Sequence, residues 1–220
     1  MKTHDDTQHG DARRSATQTQ ALSEAEARRL FNLKGYVGMT LREVAAGVGI
    51  EAQSLYNYTK SKQDLVASIM HTGTAAIQAA VDAALAAAGP TPTQRLYAAA
   101  YAHTRHYCAS DKVVLVREGL VHLDAERRAA LIGMLKTYED TFKAILREGI
   151  EAEEFHVPDV TPTCFAILGM GETVVNWFDA ERRLSADDVA AQYADLAVRT
   201  VAAAPSSTAS SPPPQPGAHA

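Results

Sequence analysis

The segment from Thr40 to Lys62, TLREVAAGVGIEAQSLYNYTKSK, places two short apolar stripes of helical period on either side of Gly49. Thr40 and Glu43 have the spacing of a capping box, and Gly49 tolerates the left-handed conformation that ends a helix. A second short helix is predicted from Glu51 to Tyr58. Ala45 and Ala46 offer small side chains where the two helices cross, and Val44, Val48, Ile50 and Leu55 supply apolar anchors. Gln53, Ser54, Asn57 and Tyr58 are then left to face outward. A helix-turn-helix makes these demands, because its first helix supports a second one that enters the major groove of DNA. Gln and Asn can pair bidentately with adenine, and Ser can meet several base edges. Thr40, Lys60 and Lys62 lie at helix starts, where backbone N–H groups and cations meet phosphates.

The rest of the chain reads as helix, with no convincing strand and no internal repeat. A first helix is expected over Ser23–Lys34, with Leu22, Ala25, Leu30 and Leu33 as its apolar stripe and Gly35 ending it. A fourth starts at Ser61, capped three residues before Asp64, and runs to about Ala88. After the breaker AGPTPT, helices are expected near Thr93–Ala109, Val113–Leu123, Asp124–Glu151, Pro162–Phe178 and Ala186–Ala202. Asp124 and Ser185 are their candidate caps, and Pro158 sits in a loop. Residues 1–16 mix charges without periodicity and are expected to be a disordered tail, as is the Pro/Ser-rich stretch 204–220. The fold class is all-α.

Charge alone argues weakly against a nucleic-acid partner, since the 220 residues carry a net charge of −5. The distribution answers that objection. Residues 1–70 hold about 9 of the 21 Lys+Arg and about 8 of the 26 Asp+Glu, so the acidic excess lies beyond them. A few well-placed cations suffice to contact phosphates without a basic average. No apolar run reaches the length of a membrane span, the N-terminus has no signal-peptide pattern, and Cys108 and Cys164 match no metal spacing. These features place the protein in the cytoplasm with reduced thiols, off the membrane and without a cofactor.

With its order and spacing intact, the string LFNLKGYVGMTLREVAAGVGI followed by SLYNYTKSKQDL resembles the TetR family of bacterial regulators over about residues 20–70. The resemblance implies a three-helix DNA-binding domain over 17–77, with its helix-turn-helix at about 40–59, and a larger ligand-binding and dimerisation domain over 78–203. It implies phosphate contacts by Tyr56 and Lys62 and base contacts by Gln53, Ser54 and Asn57. With these, Thr40, Arg42, Tyr58 and Lys60 complete the candidate DNA-binding set. Thr59 stands where most members have phenylalanine, and Glu51 where many have a Ser or Thr cap.

The expected function is therefore a sequence-specific transcriptional regulator. It would act as a repressor, the commoner mode in the family, bound to a palindromic double-stranded operator and released by a small hydrophobic effector. The ending NWF…RRLSADDVAAQYADLAVR is similar to regulators that answer acyl-CoA or other lipid-like ligands, and a drug-like effector fits the pattern equally well. Tyr97, Tyr101, Thr104, Tyr138, Phe142, Phe165 and Trp177 are the candidate ligand-binding residues. Leu96, Ala100, Leu135 and Ile145 are apolar neighbours of that set. Small and apolar residues on the last two helices, Gly169, Val175, Tyr193 and Leu196, are the candidate homodimer interface, in the manner of a four-helix bundle across a two-fold axis. Two alternatives remain at this level: a helical carrier protein, or a metal-dependent enzyme using His103 and His106 with Cys108, or Glu118 with His122. A metal site needs three or four ligands, and the sequence offers only pairs at helical spacing. No phosphate loop or nucleophile elbow is present.

Overall fold

The computed structural model describes residues 5–109 and 119–202, with the backbone alone for 5–16 and Ala109. The described residues form α1 (Asp5–Gly38), α2 (Leu41–Val48), α3 (Ala52–Leu55), α4 (Lys62–Ala87), α5 (Pro92–Ala109), α6 (Ala125–Glu151), α7 (Val160–Thr173) and α8 (Ala186–Ala202). A 3-10 turn, Val174–Asn176, follows α7. No strand occurs among them.

Most boundaries follow from local chemistry. Ser61 caps α4 by accepting from the Asp64 N–H at 3.1 Å, and Asp124 caps α6 by accepting from the Arg127 N–H at 2.9 Å. Ser185 and Asp188 exchange two backbone-to-side-chain bonds at the start of α8. Gly35, at φ 68 and ψ 178, breaks α1 where a helix end is expected.

Three expectations change. The α1 backbone is helical from Asp5, although residues 1–16 read as a structureless tail. The buried stripe of α1 is Ser23, Ala27, Leu30 and Phe31, a spacing close to 3.6 per turn. Leu22 and Leu33, placed in that stripe from sequence, face solvent instead. The third helix is shorter than predicted: beyond Leu55 the chain winds more tightly, with Tyr56, Asn57 and Tyr58 donating to Gln53, Ser54 and Leu55. Of the helix expected over Val113–Leu123, residues 113–118 lie outside the described residues, as do 1–4 and the tail 204–220.

Two main cores organise the chain. The first gathers Ala27, Leu30 and Phe31 of α1, Met39, Val44 and Ala45, Leu55, and Leu65 to Met70 of α4, and it also takes Leu123 and Leu131 from around the start of α6. The second holds Ile77 and Val81 of α4, Leu96 to Ala100 of α5, Tyr138 to Leu146 of α6, and the inner faces of α7 and α8. Helix α5 packs most extensively against α8. Both α4 and α6 thus run from one core into the other.

Candidate nucleic-acid interface and sensor core

Helix α2 begins with the capping box read from sequence. The Thr40 hydroxyl accepts from the Glu43 N–H at 3.2 Å, and Glu43 accepts from the Thr40 N–H at 3.0 Å. Lys34 from α1 adds a charged bond to Glu43 at 2.5 Å, and these partners, Lys34 first, hold the Glu43 carboxyl below its usual range. The turn is made by Gly49 at φ 78 and ψ 29, with Gly49 N–H donating to Ala46 and Ile50 N–H to Ala45. Val44, Ala45 and Leu55 are buried, while Val48 and Ile50 are half-buried. Ala46 does not sit at a helix crossing; it faces solvent. The close approach is at Gly47, where an added Cβ would strike the Glu26 carboxylate of α1.

This anchoring leaves Arg42, Gln53, Tyr56 and Asn57 exposed, with Tyr56 at 55% the most open large apolar side chain of the unit after Leu33 and Val37. Ser54 is half-buried. Tyr58, also half-buried, and Lys60 line a cleft of about 350 Å³ shared with Gln20, Ser23 and Glu24 of α1, Asp64 and Ser68 of α4, and Arg127 of α6. Glu24 reaches across that cleft to accept from the Ser68 hydroxyl at 2.6 Å. Lys62 lies 4.3 Å from the Tyr36 ring centroid and donates to the Val37 carbonyl at 3.4 Å. Desolvation lowers its pKa, against an opposing pull from Glu43. Glu51 precedes α3 without making a side-chain cap. Thr59 is buried and its hydroxyl donates to the Ser61 carbonyl at 2.9 Å, a role that an apolar side chain could not fill.

In the second core, His103 is fully enclosed. Its Nε2 meets the Leu168 carbonyl at 2.9 Å and its Nδ1 meets the Tyr138 hydroxyl at 2.6 Å. A carbonyl can only accept, so Nε2 carries the proton and Nδ1 accepts from Tyr138. Burial pushes the His103 pKa down to about 4, with the Leu168 carbonyl opposing and His106 assisting. Burial raises the Tyr138 pKa well above its ordinary value. Tyr107 and Phe142 pack edge-on against the imidazole. Gly171 is small because the ring lies where its Cβ would be.

His103 is therefore a hydrogen-bonded core post, and both of its nitrogens are engaged. Glu118 lies outside the described residues, and its proposed companion His122 stacks on Tyr36 with centroids 4.2 Å apart. Among the described residues no group of three His, Cys, Asp or Glu side chains is placed to hold a metal. Burial lifts the thiols of Cys108 and Cys164 to about 11, so both stay protonated at neutral pH.

The candidate ligand-binding residues divide. Thr104, Tyr138 and Phe142 are buried in the second core, and Tyr97 is half-buried beside it. Tyr101 donates to Asp187 on α8 at 2.7 Å, where Arg105 also binds, so its hydroxyl ties two helices together. Phe165 and Trp177 do not point into the bundle: each is 46% exposed. Phe165 lies under the Lys143 ammonium on the outer side of α7, and Trp177 stacks on Tyr193 beyond the 3-10 turn. The dimer candidates divide as well. Leu196 is 45% exposed, Tyr193 is half-buried, and a Cβ on Gly169 would meet nothing. Val175 is buried in its own chain and is not available to a partner.

Sequence reading missed the contact between the starts of α4 and α6. Arg127 of α6 binds Asp64 of α4, donating from Nε at 2.9 Å, and it also binds Asp124 of its own helix. Gln63 accepts from the Asp124 N–H at 3.0 Å. Both Ser61-x-x-Asp64 and Asp124-x-x-Arg127 are legible as helix starts, but nothing in their spacing shows that they meet.

A three-helix unit with an exposed second reading helix, attached to a helical bundle, is the architecture of a one-component DNA-binding regulator. Residues 25–69 match the family described as bacterial regulatory proteins of the tetR family, and residues 89–201 match the tetracyclin repressor-like C-terminal domain. The chain belongs to the TetR family of transcriptional regulators, with a DNA-binding N-terminal unit and a ligand-binding C-terminal domain. It is similar to a tetR-family regulatory protein from Rhodococcus RHA1, at 26% identity over 85% of this chain and 98% of that one, with a TM-score of 0.77. It is also similar to the regulator PfmR from Thermus thermophilus, at 29% identity over 81% and 96%, with a TM-score of 0.71. AibR, solved with isovaleryl coenzyme A and operator DNA, shares the fold at 24% identity over 83% and 97%, with a TM-score of 0.65. No curated protein matches the chain. Among the described residues no helix is long and apolar enough to cross a membrane.

Proposed function

We propose that this regulator is a cytoplasmic, dimeric repressor that holds a palindromic operator and lets go when a small hydrophobic effector enters its C-terminal domain. Residues 17–77 are the DNA-reading unit in this account and 78–203 the sensor and dimer unit. One observation carries the reading: Leu55 is buried while Gln53, Tyr56 and Asn57, on the same short helix and its turn, are exposed. A helix used only for packing has no need of an outward amide pair. Gln53 and Asn57 then read bases, assisted by Ser54, while Thr40, Arg42, Tyr56, Tyr58, Lys60 and Lys62 meet the backbone.

The dimer reading is supported by the apolar side chains left open on α7 and α8, with Gly169 permitting close approach. Phe165 and Trp177 join Tyr193 and Leu196 in this assignment. For the effector, Tyr97, Thr104, Tyr138 and Phe142 remain the candidate contacts. AibR's complex with isovaleryl coenzyme A supports an acyl-CoA thioester as the class to try first. An effector that binds best to a conformation with mismatched reading helices lowers operator affinity by that difference.

The test is selection of bound duplexes from a random library, followed by release with acyl-CoA thioesters of graded chain length. The expected product is a palindrome with half-sites separated by about one helical turn, ~34 Å, or a multiple of it. Equal affinity for every duplex at physiological salt would sink the proposal.

A further inference from the structure

Three consecutive residues in the first turn of α4 lead toward the start of α6, Lys62 through a ring of α1 and the next two directly. Lys62 sits over Tyr36, whose ring stacks on His122. Gln63 accepts from the Asp124 N–H, and Asp64 accepts from Arg127. Of these, the Asp64 contact continues into the reading helix. The Ser61 hydroxyl donates to Asp64 at 2.9 Å and accepts from its N–H at 3.1 Å. The Thr59 hydroxyl donates to the Ser61 carbonyl at 2.9 Å, and the Thr59 N–H donates to Leu55 at 3.0 Å. An unbroken hydrogen-bonded path therefore runs from Arg127 through Asp64, Ser61 and Thr59 to the end of α3.

The geometry points to Arg127 as a positioning residue that sets the angle of the reading helix from the sensor side through its bond to Asp64. The claim rests on the reading of residues 40–62 as the DNA-contacting unit. Asp124 caps the helix that carries Arg127 and is fixed to it, so it pre-orients the guanidinium without reaching α4. Asp64 belongs to α4, within the N-terminal family match, and Arg127 to α6, within the C-terminal one. A shift of α6 therefore keeps the Asp124 pair and loosens the Asp64 pair. The pair lines the solvent-reached cleft, with side-chain exposures of 36% for Arg127 and 24% for Asp64. Opening it does not strand a charge in an apolar core, which suits a contact that is made and broken in use. Thr59 also acquires a purpose here, since an apolar side chain would interrupt the path.

Two readouts test this on the full-length protein. Amide exchange is compared between wild type and Arg127→Met, which keeps the length of the side chain and removes its donors. Exchange over Leu55–Asp64 should rise about tenfold or more while α7 and α8 stay unchanged. Affinity is then measured for the duplex that the wild-type protein itself selects, across a range of salt. Arg127→Met should bind about tenfold more weakly with an unaltered salt slope, because no phosphate contact is lost. Asp64→Asn should reproduce the effect, the double variant should be no worse than either single one, and Arg127→Lys should recover part of it. Unchanged exchange over Leu55–Asp64 overturns the proposal. So does a salt slope that falls by about one unit, which would make Arg127 a phosphate contact. If the wild-type protein selects no duplex, the DNA reading fails by itself, and the exchange result still decides whether Arg127 positions the helix.

Discussion

Lowering the pH from about 7.5 to about 5 charges histidines in the unfolded chain, whereas His103 in the fold resists protonation because burial holds its pKa near 4 against an ordinary 6.5. The unfolded chain then binds the extra proton, so stability falls as pH drops through this window and levels off below the folded value. The difference of about 2.5 units corresponds to roughly 3 kcal/mol in all, of which about 2 kcal/mol is already lost at pH 5. Other groups titrate over the same range, His106 among them, so the informative quantity is a difference between proteins. Replacing His103 by Gln keeps a donor and an acceptor for Leu168 and Tyr138 but removes the titration. Urea unfolding of both proteins at the two pH values should show wild type losing roughly 2 kcal/mol more than His103→Gln on acidification. Equal losses would mean that His103 is protonated as readily in the fold as in solution, and a neutral ring accepting from the Tyr138 hydroxyl below pH 6 would be wrong.

Other outcomes follow from packing and charge. Leu55→Ala should lower stability by roughly 2–5 kcal/mol, measured by denaturant unfolding, because Leu55 is almost fully buried. Gly171→Ala should cost roughly 1–3 kcal/mol by the same measurement, since its Cβ would collide with the His103 ring and crowd Thr104. Lys62→Ala should weaken binding to all duplexes alike and flatten the salt slope by about one unit, as read by titration at several salt concentrations. A change in the preferred sequence would instead remove Lys62 from the backbone set.

The helix-turn-helix was legible because its signals are local: Thr40 and Glu43 cap, Gly49 turns left-handed, and Leu55 anchors within one short stretch. The caps at Ser61 and Asp124 were legible for the same reason. What escaped depends on which way a helix is rolled against its neighbours. Leu22 and Leu33 share the composition of the α1 stripe, but the buried face runs through Ser23 and Phe31. Phe165 and Trp177 read as pocket aromatics because large apolar side chains are usually inside, yet on α7 and beyond it they lie outside the bundle. Val175 errs in the opposite sense. The Arg127–Asp64 contact spans two helix starts 63 positions apart, and only the fold brings them together.

If the outward side of α3 and its turn reads base pairs, the site preference of Gln53→Ala and Asn57→Ala must change. Each variant is measured against the wild-type selected duplex and its single-base-pair changes, with melting recorded in parallel. Preference should relax at particular base pairs, at a cost of roughly 1–3 kcal/mol, while melting stays close to wild type. Variants that melt early and keep the wild-type base preference would contradict it, because Gln53 and Asn57 would then be holding the fold rather than reading DNA.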